Sequence, residues 1–493
     1  MIKKISIKIQ RSYFLLIIAA IFFVVYSALS LVRHHNFQSN AFDLGIFNQT
    51  IYNYAHLTLG PNTLRHVDTL LGDHFEPIMF LFSPLYYLFG SYTLLIIQIF
   101  AIILGGFGVY KIVKEHTRDR HFSVISAILF YVSFGVYQAL AFDYHNNVVG
   151  AMAIPWLLYF ILKNNYFKYY LLLVLFLLCK ETLGLIGIML GISIIIFDRH
   201  HWRHGVLTLL ISFLFFILTT QILIPLFNSN GNQYDHWQSF NNLGTGPLDA
   251  IRNALIHPLS FAGKFFDSGL KIGMWKILFV CGGLFAFFYP RYSILLVPII
   301  AQKFLAQNQS YWGYYFHYNI ELVIIMTVAA SFFIFQYVKN NRLKYFLIIS
   351  LCIINIGYSF RLKFFDSTGL SKIFDYHYYA CAQCSDIDQA MSMIPVGSDV
   401  VAQNHLIPHL SNRSNISNLS TFTHSEDNTN PDESYQCPGL AKHQYLILNI
   451  ADDSVWPMKD TEQLEQIIVR GYNNNPNIKK LYDHNDVILY QVS

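Results

Sequence analysis

The earliest candidate for chemistry in this sequence is Asp43, which lies in the segment AFDLGIFNQTIYNYAH, about ten residues after a long apolar run. Apolar residues around it recur at roughly helical spacing, which predicts an amphipathic helix on a membrane surface with Asp43 at its start. A carboxylate in that position could be a catalytic group, or it could only satisfy the free N–H groups at the beginning of the helix. The spacing leaves both roles open.

A second polar group, in LLGDHFEP, contains Asp73, His74 and Glu76 just before an apolar stretch. Carboxylates beside a histidine could bind a divalent cation, or one carboxylate could take a proton from an acceptor hydroxyl. The spacing matches no strict metal motif, so a cation with Asp43, Asp73 and His74 as candidate ligands is left open. The simpler alternative is a polar loop that meets the lipid headgroups.

Two further groups directly follow or separate apolar segments. The turn DYHNN contains Asp143 and His145, and LLCKETLG contains Lys180 and Glu181. An ammonium group at the depth of Lys180 could neutralise a lipid-linked phosphate. The alternative is an internal ion pair between Lys180 and Glu181 that stabilises a break between two helices.

The last group is the aromatic stretch SYWGYYFHYNIE, which contains His317, Tyr318 and Glu321. Aromatic residues at the end of a span often form only the membrane belt, although they could equally stack on a sugar ring. His317 and Glu321 are four residues apart and therefore lie on one face of a helix. The candidates for binding substrate are Asp73, His74, Glu76, Asp143, His145, Lys180, Glu181, His317, Tyr318 and Glu321.

The composition shows what has to position these groups. The chain has 493 residues, of which 54% are hydrophobic and only 13% charged, whereas soluble domains carry about a quarter charged residues. Apolar stretches long enough to cross ~30 Å of hydrocarbon recur up to about residue 360. The fold class is therefore an α-helical polytopic membrane protein with about eleven membrane-spanning helices. The predicted spans lie near residues 13–32, 92–112, 122–142, 148–163, 169–179, 182–197, 206–227, 274–289, 292–306, 319–338 and 345–360.

The distribution of Lys and Arg predicts the orientation of these spans. Basic residues precede the first span and form short runs at the inner junctions, so the N-terminus is expected in the cytoplasm. The candidate groups then all face the extracytoplasmic side, where polar side chains that converge usually line a binding site. Two details are inferences: residues 76–90 lie at or re-enter the membrane surface, and residues 169–197 form two short helices broken at Lys180 and Glu181.

The predicted domains are a transmembrane domain over 1–360, whose first outer loop spans 33–91, and an extracytoplasmic domain over 361–493. Helical and strand-like patterns alternate in the second domain, which predicts a small α/β fold with a long loop over 411–437 and a helix over 461–472. It contains Cys381, Cys384 and Cys437, and a bridge from Cys381 or Cys384 to Cys437 is expected. Basic residues are scattered and the net charge is only +4, so nucleic acid is excluded as a partner.

The segments FDLGIF, GDHF-P, FDYHNN, LLCKETLGL, YYFHYN and AQNHLIPHLSNR resemble, in order, those of a bacterial family of multi-pass membrane proteins of unassigned function. That family is similar to the glycosyltransferase C (GT-C) superfold, whose members move a sugar from a polyprenyl-phosphate carrier. The resemblance implies that Asp43, in the first outer loop, is the catalytic group, acting as a general base toward the acceptor or positioning it. Lys180 approximates the lysine of a Leu-Leu-Thr-Lys-Gly type of motif, although Glu181 replaces its glycine.

The resemblance predicts a glycosyltransferase in the plasma (inner) membrane. Its donor would be a polyprenyl-phosphate sugar within the membrane lipid, and its acceptor an envelope glycan, lipid or protein. The alternatives are a transporter or flippase of a lipid or envelope precursor, and a binding-only relative without activity. Transporters more often contain repeated halves and charges near mid-membrane, and the sequence has neither an evident repeat nor such charges.

Overall fold

The computed structural model describes residues 2–228, 235–364, 367–368, 370–419, 444–451, 469, 472–473 and 475–492. Within them, seven helical segments are long and apolar enough to cross a membrane: Phe14–His35, Met79–Thr117, Arg120–Ala141, Trp202–Phe227, Gly269–Ala286, Ile320–Tyr337 and Asn341–Arg361. Four shorter apolar helices are Asn146–Leu162, Tyr166–Leu177, Leu183–Phe197 and Leu296–Leu305. Each of the predicted spans is therefore helical, while the count of eleven crossings stays a prediction.

The predicted break between two short helices is confirmed. One helix ends at Leu177 and the next begins at Leu183, so that Lys180 and Glu181 lie in the turn between them. The backbone N–H of Ile78 donates to the carbonyl of Leu178, at 3.1 Å. The turn therefore lies directly beside the segment that contains His74 and Glu76.

Small residues let neighbouring helices approach closely. A Cβ atom added at Gly191 would lie 2.6 Å from the backbone nitrogen of Leu209, so helices Leu183–Phe197 and Trp202–Leu218 pack backbone to backbone. The glycines of the GGFG segment have the same role, since a Cβ at Gly106 would overlap the ring of Tyr131. The GGFG segment, residues 105–108, therefore serves the packing of helices.

The first outer loop contains the predicted helix after Asp43, but nine of its ten residues are buried, so it lacks the exposed polar face of the predicted amphipathic surface helix. A tight helical turn at Ala41–Gly45 leads into the helix Ile46–Ala55. Later in the loop, residues 79–92 form a series of short helical turns before the long helix that begins at Thr93. Whether these turns lie at the membrane surface stays a prediction.

The C-terminal residues contain a five-stranded mixed sheet, as the α/β pattern predicts. The strand Val400–Ala402 pairs in parallel with Ile416–Asn418 on one side and Tyr445–Asn449 on the other. Val487–Val492 is antiparallel to both Tyr445–Asn449 and Ile478–His484. The helix Cys384–Ser392 packs against this sheet, and its core contains Val401, Leu446, Leu448, Ile488 and Tyr490.

Three expectations about this region need comment. The long loop predicted over 411–437 is interrupted by the edge strand Ile416–Asn418, whose backbone pairs in parallel with Val400–Ala402. The predicted disulfide between Cys437 and either Cys381 or Cys384 is wrong. Cys381 and Cys384 bond to each other, with Cα atoms 5.5 Å apart. Cys437 lies outside the described residues, as does almost all of the predicted helix 461–472.

The chain forms two compact units. Unit 1 consists of Met1–Ser30, Leu71–Ile78 and Ile96–Ile373, and unit 2 of Leu31–Leu70, Met79–Leu95 and Phe374–Ser493. Most of the first outer loop thus belongs with the C-terminal residues, whereas the short segment 71–78 belongs with the helices. The division at residue 360 into two domains stays a proposal beside this grouping.

Candidate functional site

Most of the predicted site residues lie in unit 1, where four segments meet. They come from the segment 71–78, the turn after Ala141, the break after Leu177, and the start of the helix Ile320–Tyr337. We call the following residues the polar cluster: His74, Glu76, Asn146, Asn147, Lys180, Glu181, Lys303, His317 and Glu321.

Glu181 is the best-anchored acid of the cluster. Its side chain is 0% exposed, and it accepts hydrogen bonds from Nδ1 of His74 at 3.0 Å and from the backbone N–H of Phe75 at 3.2 Å. Glu181, in the break that follows the helix ending at Leu177, therefore holds the segment 71–78 in place.

The protonation of His74 follows from this contact. Burial and the charge of Lys180 lower its pKa, but the charge and hydrogen bond of Glu181, together with the charge of Asp73, outweigh them. The pKa of His74 therefore lies above its usual value. His74 and Glu181 form an ion pair when His74 is protonated.

Glu76 is the second buried acid, with 2% of its surface exposed. It accepts a hydrogen bond from Nδ2 of Asn146 at 2.8 Å, and Nζ of Lys180 lies 3.5 Å from its other oxygen. Asn146 is fixed in turn by the hydroxyl of Tyr144, at 2.5 Å. The segment 71–78, the DYHNN turn and the helix break are thus joined through one carboxylate.

Glu321 is the third buried acid and lies in the first turn of the helix Ile320–Tyr337. Its carboxylate accepts a hydrogen bond from Nδ2 of Asn147, at 2.6 Å. The neighbouring amides Asn146 and Asn147 therefore contact two different carboxylates, Glu76 and Glu321.

The histidines of the two late motifs stack on each other. The ring centroids of His145 and His317 are 3.4 Å apart, and the ring of Phe142 covers them at 5.1 Å and 6.1 Å. The ring of Tyr318 also contacts His317, with centroids 4.2 Å apart. Burial, followed by the positive charges of His145, Lys180, Lys303 and His74, lowers the pKa of His317 well below its usual value. His317 is therefore a neutral imidazole near pH 7.

Lys303 is a member of the cluster that sequence reasoning missed. It ends an apolar helix, is only 3% exposed, and donates to the carbonyl oxygens of Tyr311 and Gly313 at 2.9 Å and 2.8 Å. These carbonyls belong to the aromatic segment that carries His317. A lysine in an otherwise apolar span was the available signal, because such a charge is costly without a partner.

The remaining acids of the prediction have different surroundings. Asp143 is completely buried, and its carbonyl oxygen accepts a hydrogen bond from Nε2 of Gln98 at 3.4 Å. The backbone N–H of His145 donates to Oε1 of the same glutamine, at 2.9 Å. Gln98 thereby fixes the backbone of the DYHNN turn. Asp73 is half-buried and acts on the cluster through its charge near His74.

Asp43 lies in unit 2 and is half-buried. The turn that carries it is held by Asn404, whose Oδ1 accepts from the backbone N–H of Ala41 at 2.9 Å and whose Nδ2 donates to Asn40 at 2.8 Å. The packing is close, because a Cβ on Gly45 would lie 2.8 Å from Ile407. FDLGIF and AQNHLIPHLSNR, two of the segments on which the family resemblance rests, therefore contact each other.

No three His, Cys, Asp or Glu side chains among the described residues are grouped so that they could hold a metal ion. The metal candidates Asp43, Asp73 and His74 therefore stay a prediction. The chemistry of the polar cluster follows from its own charges: two lysines and a histidine with a raised pKa lie among three buried carboxylates.

Comparison with known proteins places this geometry in context. The profile of a family described as "Predicted membrane protein (DUF2079)" matches residues 33–473. Two crystal structures of ArnT from Cupriavidus metallidurans have the same fold: the one bound to undecaprenyl phosphate gives a TM-score of 0.55 and the apo form 0.54. Each is 10% identical in sequence, and the match covers 98% of both chains. No curated protein matches the chain by sequence.

Proposed function

The chain belongs to the DUF2079 family of predicted membrane proteins, and we propose that it transfers a sugar from a polyprenyl-phosphate-linked donor to a cell-envelope acceptor on the extracytoplasmic face. Its fold is that of ArnT, a GT-C glycosyltransferase, which supports a glycosyltransferase at the level of the fold. The choice of donor and acceptor goes beyond that likeness and rests on the polar cluster.

The single observation that carries the proposal is the grouping of the buried Lys303 with Lys180 and His74, whose side chains are 18% and 23% exposed, beside the neutral His317. Cationic groups held in a low-dielectric environment interact strongly with a phosphate, because little water screens them. Carboxylates beside them balance their charge when no substrate is bound. A lipid-linked phosphate that arrives from the bilayer is the ligand that this charge pattern fits best.

The proposed reaction breaks the bond between the anomeric carbon of the sugar and the phosphate oxygen, and the electron pair leaves with the polyprenyl phosphate. A hydroxyl oxygen of the acceptor forms the new bond to the anomeric carbon and loses its proton. Lys180 and the protonated His74 stabilise the negative charge that develops on the leaving phosphate. Burial keeps His317 neutral, so that its ring can form a hydrogen bond with a hydroxyl group of the sugar.

Asp43 is assigned the general base, or the group that positions the acceptor hydroxyl, on the basis of the family resemblance. A half-buried carboxylate on a backbone turn fixed by Asn404 is consistent with such a role. The N-terminus is assigned to the cytoplasm and the C-terminal residues to the outside, which puts the site where envelope acceptors occur.

The test uses membranes that contain the wild type, Asp43→Asn or Lys180→Gln, supplied with radiolabelled polyprenyl-phosphate sugars. We expect transfer by the wild type, a loss of at least ~100-fold with Asp43→Asn, and a comparable loss with Lys180→Gln. Lys163→Gln is the matched control, because Lys163 is an exposed lysine whose side chain pairs with Glu115 at 3.5 Å. Equal transfer by wild type and Asp43→Asn would remove Asp43 from the mechanism. Movement of labelled lipid across vesicles without any transfer would identify a flippase instead.

A further inference from the structure

Polar atoms without a protein partner lie next to the polar cluster. They are Oε1 of Gln138, Oδ1 of Asn147, Nδ1 of His317 and both amide atoms of Asn319, none of which has a hydrogen-bond partner among the described residues. Each of these side chains is at most 6% exposed. Buried polar groups are nearly always hydrogen-bonded, so a grouping of this kind calls for a ligand or ordered water.

The placement of these residues shows that they are neighbours. A Cβ on Gly135 would lie 3.0 Å from the carbonyl oxygen of Asn319, and Gln138 is one turn further along the same face of the helix Phe134–Ala141. Phe142, just after this helix, packs on His317. Gln138 therefore lies between the contact of Gly135 with Asn319 and the contact of Phe142 with His317. It is beside the residues that begin the helix Ile320–Tyr337. Asn147 joins the same place through its hydrogen bond to Glu321.

Asn319 is the most informative member. It occupies the N-cap position of the helix Ile320–Tyr337, where asparagine commonly accepts a hydrogen bond from the first turn, yet its side chain makes no such bond. Asn355 offers a comparison, since it is buried in a neighbouring helix and its amide donates to the carbonyl oxygens of Cys281 and Leu351. Asn355 is thus anchored through its Nδ2, although its Oδ1 has no partner among the described residues, whereas neither amide atom of Asn319 has one.

The chemistry of these groups indicates which part of a ligand they would recognise. Carboxamides and a neutral imidazole offer both donors and acceptors without charge, which matches hydroxyl groups and not a phosphate. The cations that suit a phosphate are Lys180 and His74, which contact Glu76 and Glu181.

We propose that Gln138, Asn147, His317 and Asn319 form a subsite for the hydroxyl groups of a neutral sugar, the sugar carried by the lipid donor. This inference rests on the proposed function. It adds that two different sets of residues bind the two parts of the donor. The sugar hydroxyls bind the uncharged amides, and the phosphate binds the lysine and the protonated histidine.

The experiment measures equilibrium binding of two kinds of radiolabelled probe to the full chain in lipid nanodiscs. One probe is polyprenyl monophosphate without a sugar, and the others are polyprenyl-phosphate-linked neutral hexoses and pentoses. The variants are Asn319→Ala and Gln138→Leu, and Asn355→Ala is the control with an equally buried amide. We expect both variants to bind the preferred sugar-linked probe about 10-fold more weakly and the sugar-free probe within about twofold of the wild type. The control should bind both probes as the wild type does.

Two results would overturn the subsite. If the variants keep the wild-type preference for the sugar-linked probe, the amide atoms bind ordered water only. If they lose both probes equally, these residues are structural. A third result has a different meaning: a wild type that prefers no sugar-linked lipid over the sugar-free carrier contradicts the proposed function itself, and the subsite with it.

Discussion

The contact between Glu181 and His74 provides the sharpest test of the polar cluster, through the substitution Glu181→Gln. The change removes one negative charge and keeps the size of the side chain. Glutamine can accept a hydrogen bond with only one of its two terminal atoms, whereas Glu181 accepts from both His74 and the backbone of Phe75. One of these donors therefore loses its acceptor in the variant.

The magnitude follows from the burial of the pair. A buried donor left without an acceptor costs about 1–3 kcal/mol, and a hydrogen bond to a charged group contributes about 1.5–3 kcal/mol. Breaking a fully buried ion pair costs about 3–5 kcal/mol, but the His74 side chain is 23% exposed, which reduces the loss. We expect the free energy of unfolding to fall by about 2–4 kcal/mol, which lowers the unfolding temperature by a few degrees.

The pH dependence of this effect has a definite sign. The pKa of His74 is raised in the folded protein, so its charge contributes stability that is fully present below the unfolded pKa of about 6.5. That contribution is lost as the pH rises through the folded pKa. The difference in unfolding temperature between wild type and Glu181→Gln should therefore be larger near about pH 6 than near about pH 9.

The assay is thermal unfolding in detergent or nanodiscs, followed by tryptophan fluorescence at both pH values. Glu115→Gln is the control, because it neutralises an acid whose partners Arg118 and Lys163 are 80% and 45% exposed. Such a surface pair contributes about 0–1 kcal/mol, so the control should unfold close to the wild-type temperature. A difference for Glu181→Gln that is the same at both pH values, or larger at high pH, would refute the assignment of a charged His74.

Three further predictions concern the elements that carry the site. Lys303→Met removes the ammonium that holds two carbonyls of the aromatic segment. Amide hydrogen exchange over residues 309–318 should therefore become at least ~10-fold faster, while exchange in the C-terminal strands stays unchanged. Asn404→Ala removes the side-chain acceptor of the Ala41 N–H and the donor to Asn40, while the backbone carbonyl of residue 404 still accepts from Ala41 at 3.0 Å. We expect the free energy of unfolding to fall by about 0.5–1.5 kcal/mol, and thermal unfolding at the wild-type temperature would contradict this role. Burial lowers the pKa of His409 to about 4, so stability should fall as the pH drops from about 6.5 toward 4, and His409→Gln should flatten that decline in thermal unfolding.

Much of the helical architecture could be predicted from the sequence, because hydrophobic length and charge have strong local signatures. The break at Lys180 and Glu181 is an example, since two ionised groups within a continuous span would be too costly. The FDLGIF helix is another, because its apolar spacing is local. The candidate acids and histidines were found because polar residues are rare in this chain and therefore conspicuous.

The pairing of those residues could not be predicted, because it depends on packing between distant segments. Lys180 approaches Glu76, more than a hundred residues earlier in the chain, and Glu181 binds His74. The strand Ile478–His484 was also missed, since its alternation is irregular and it contains Lys479. Only the tertiary fold brings such partners together.

The buried residues without an evident motif were hardest to find. Lys303 lies within a predicted span, and one lysine in an apolar helix has no spacing pattern that marks its partners. Gln138 and Asn319 are single amides whose importance depends on the absence of a protein partner, which no sequence pattern encodes. Sequence reasoning thus found His317 and most of the charged residues of the site, and it missed Lys303 and the amides Gln138 and Asn319.

The difference between the charged and the uncharged residues of the site has a physical basis, and it bears on how the polar cluster works. Buried charges must be paired to be tolerated, so Glu76, Glu181 and Glu321 are held by hydrogen bonds before any substrate arrives. A phosphate that binds Lys180 has to compete with Glu76, which limits how tightly the charged part of a ligand can be held. Unpaired amides face no such competitor, and every hydrogen bond that they form with a ligand is a net gain. Under the proposed function, such a site would bind and release the carrier phosphate readily, and the sugar would supply the selectivity.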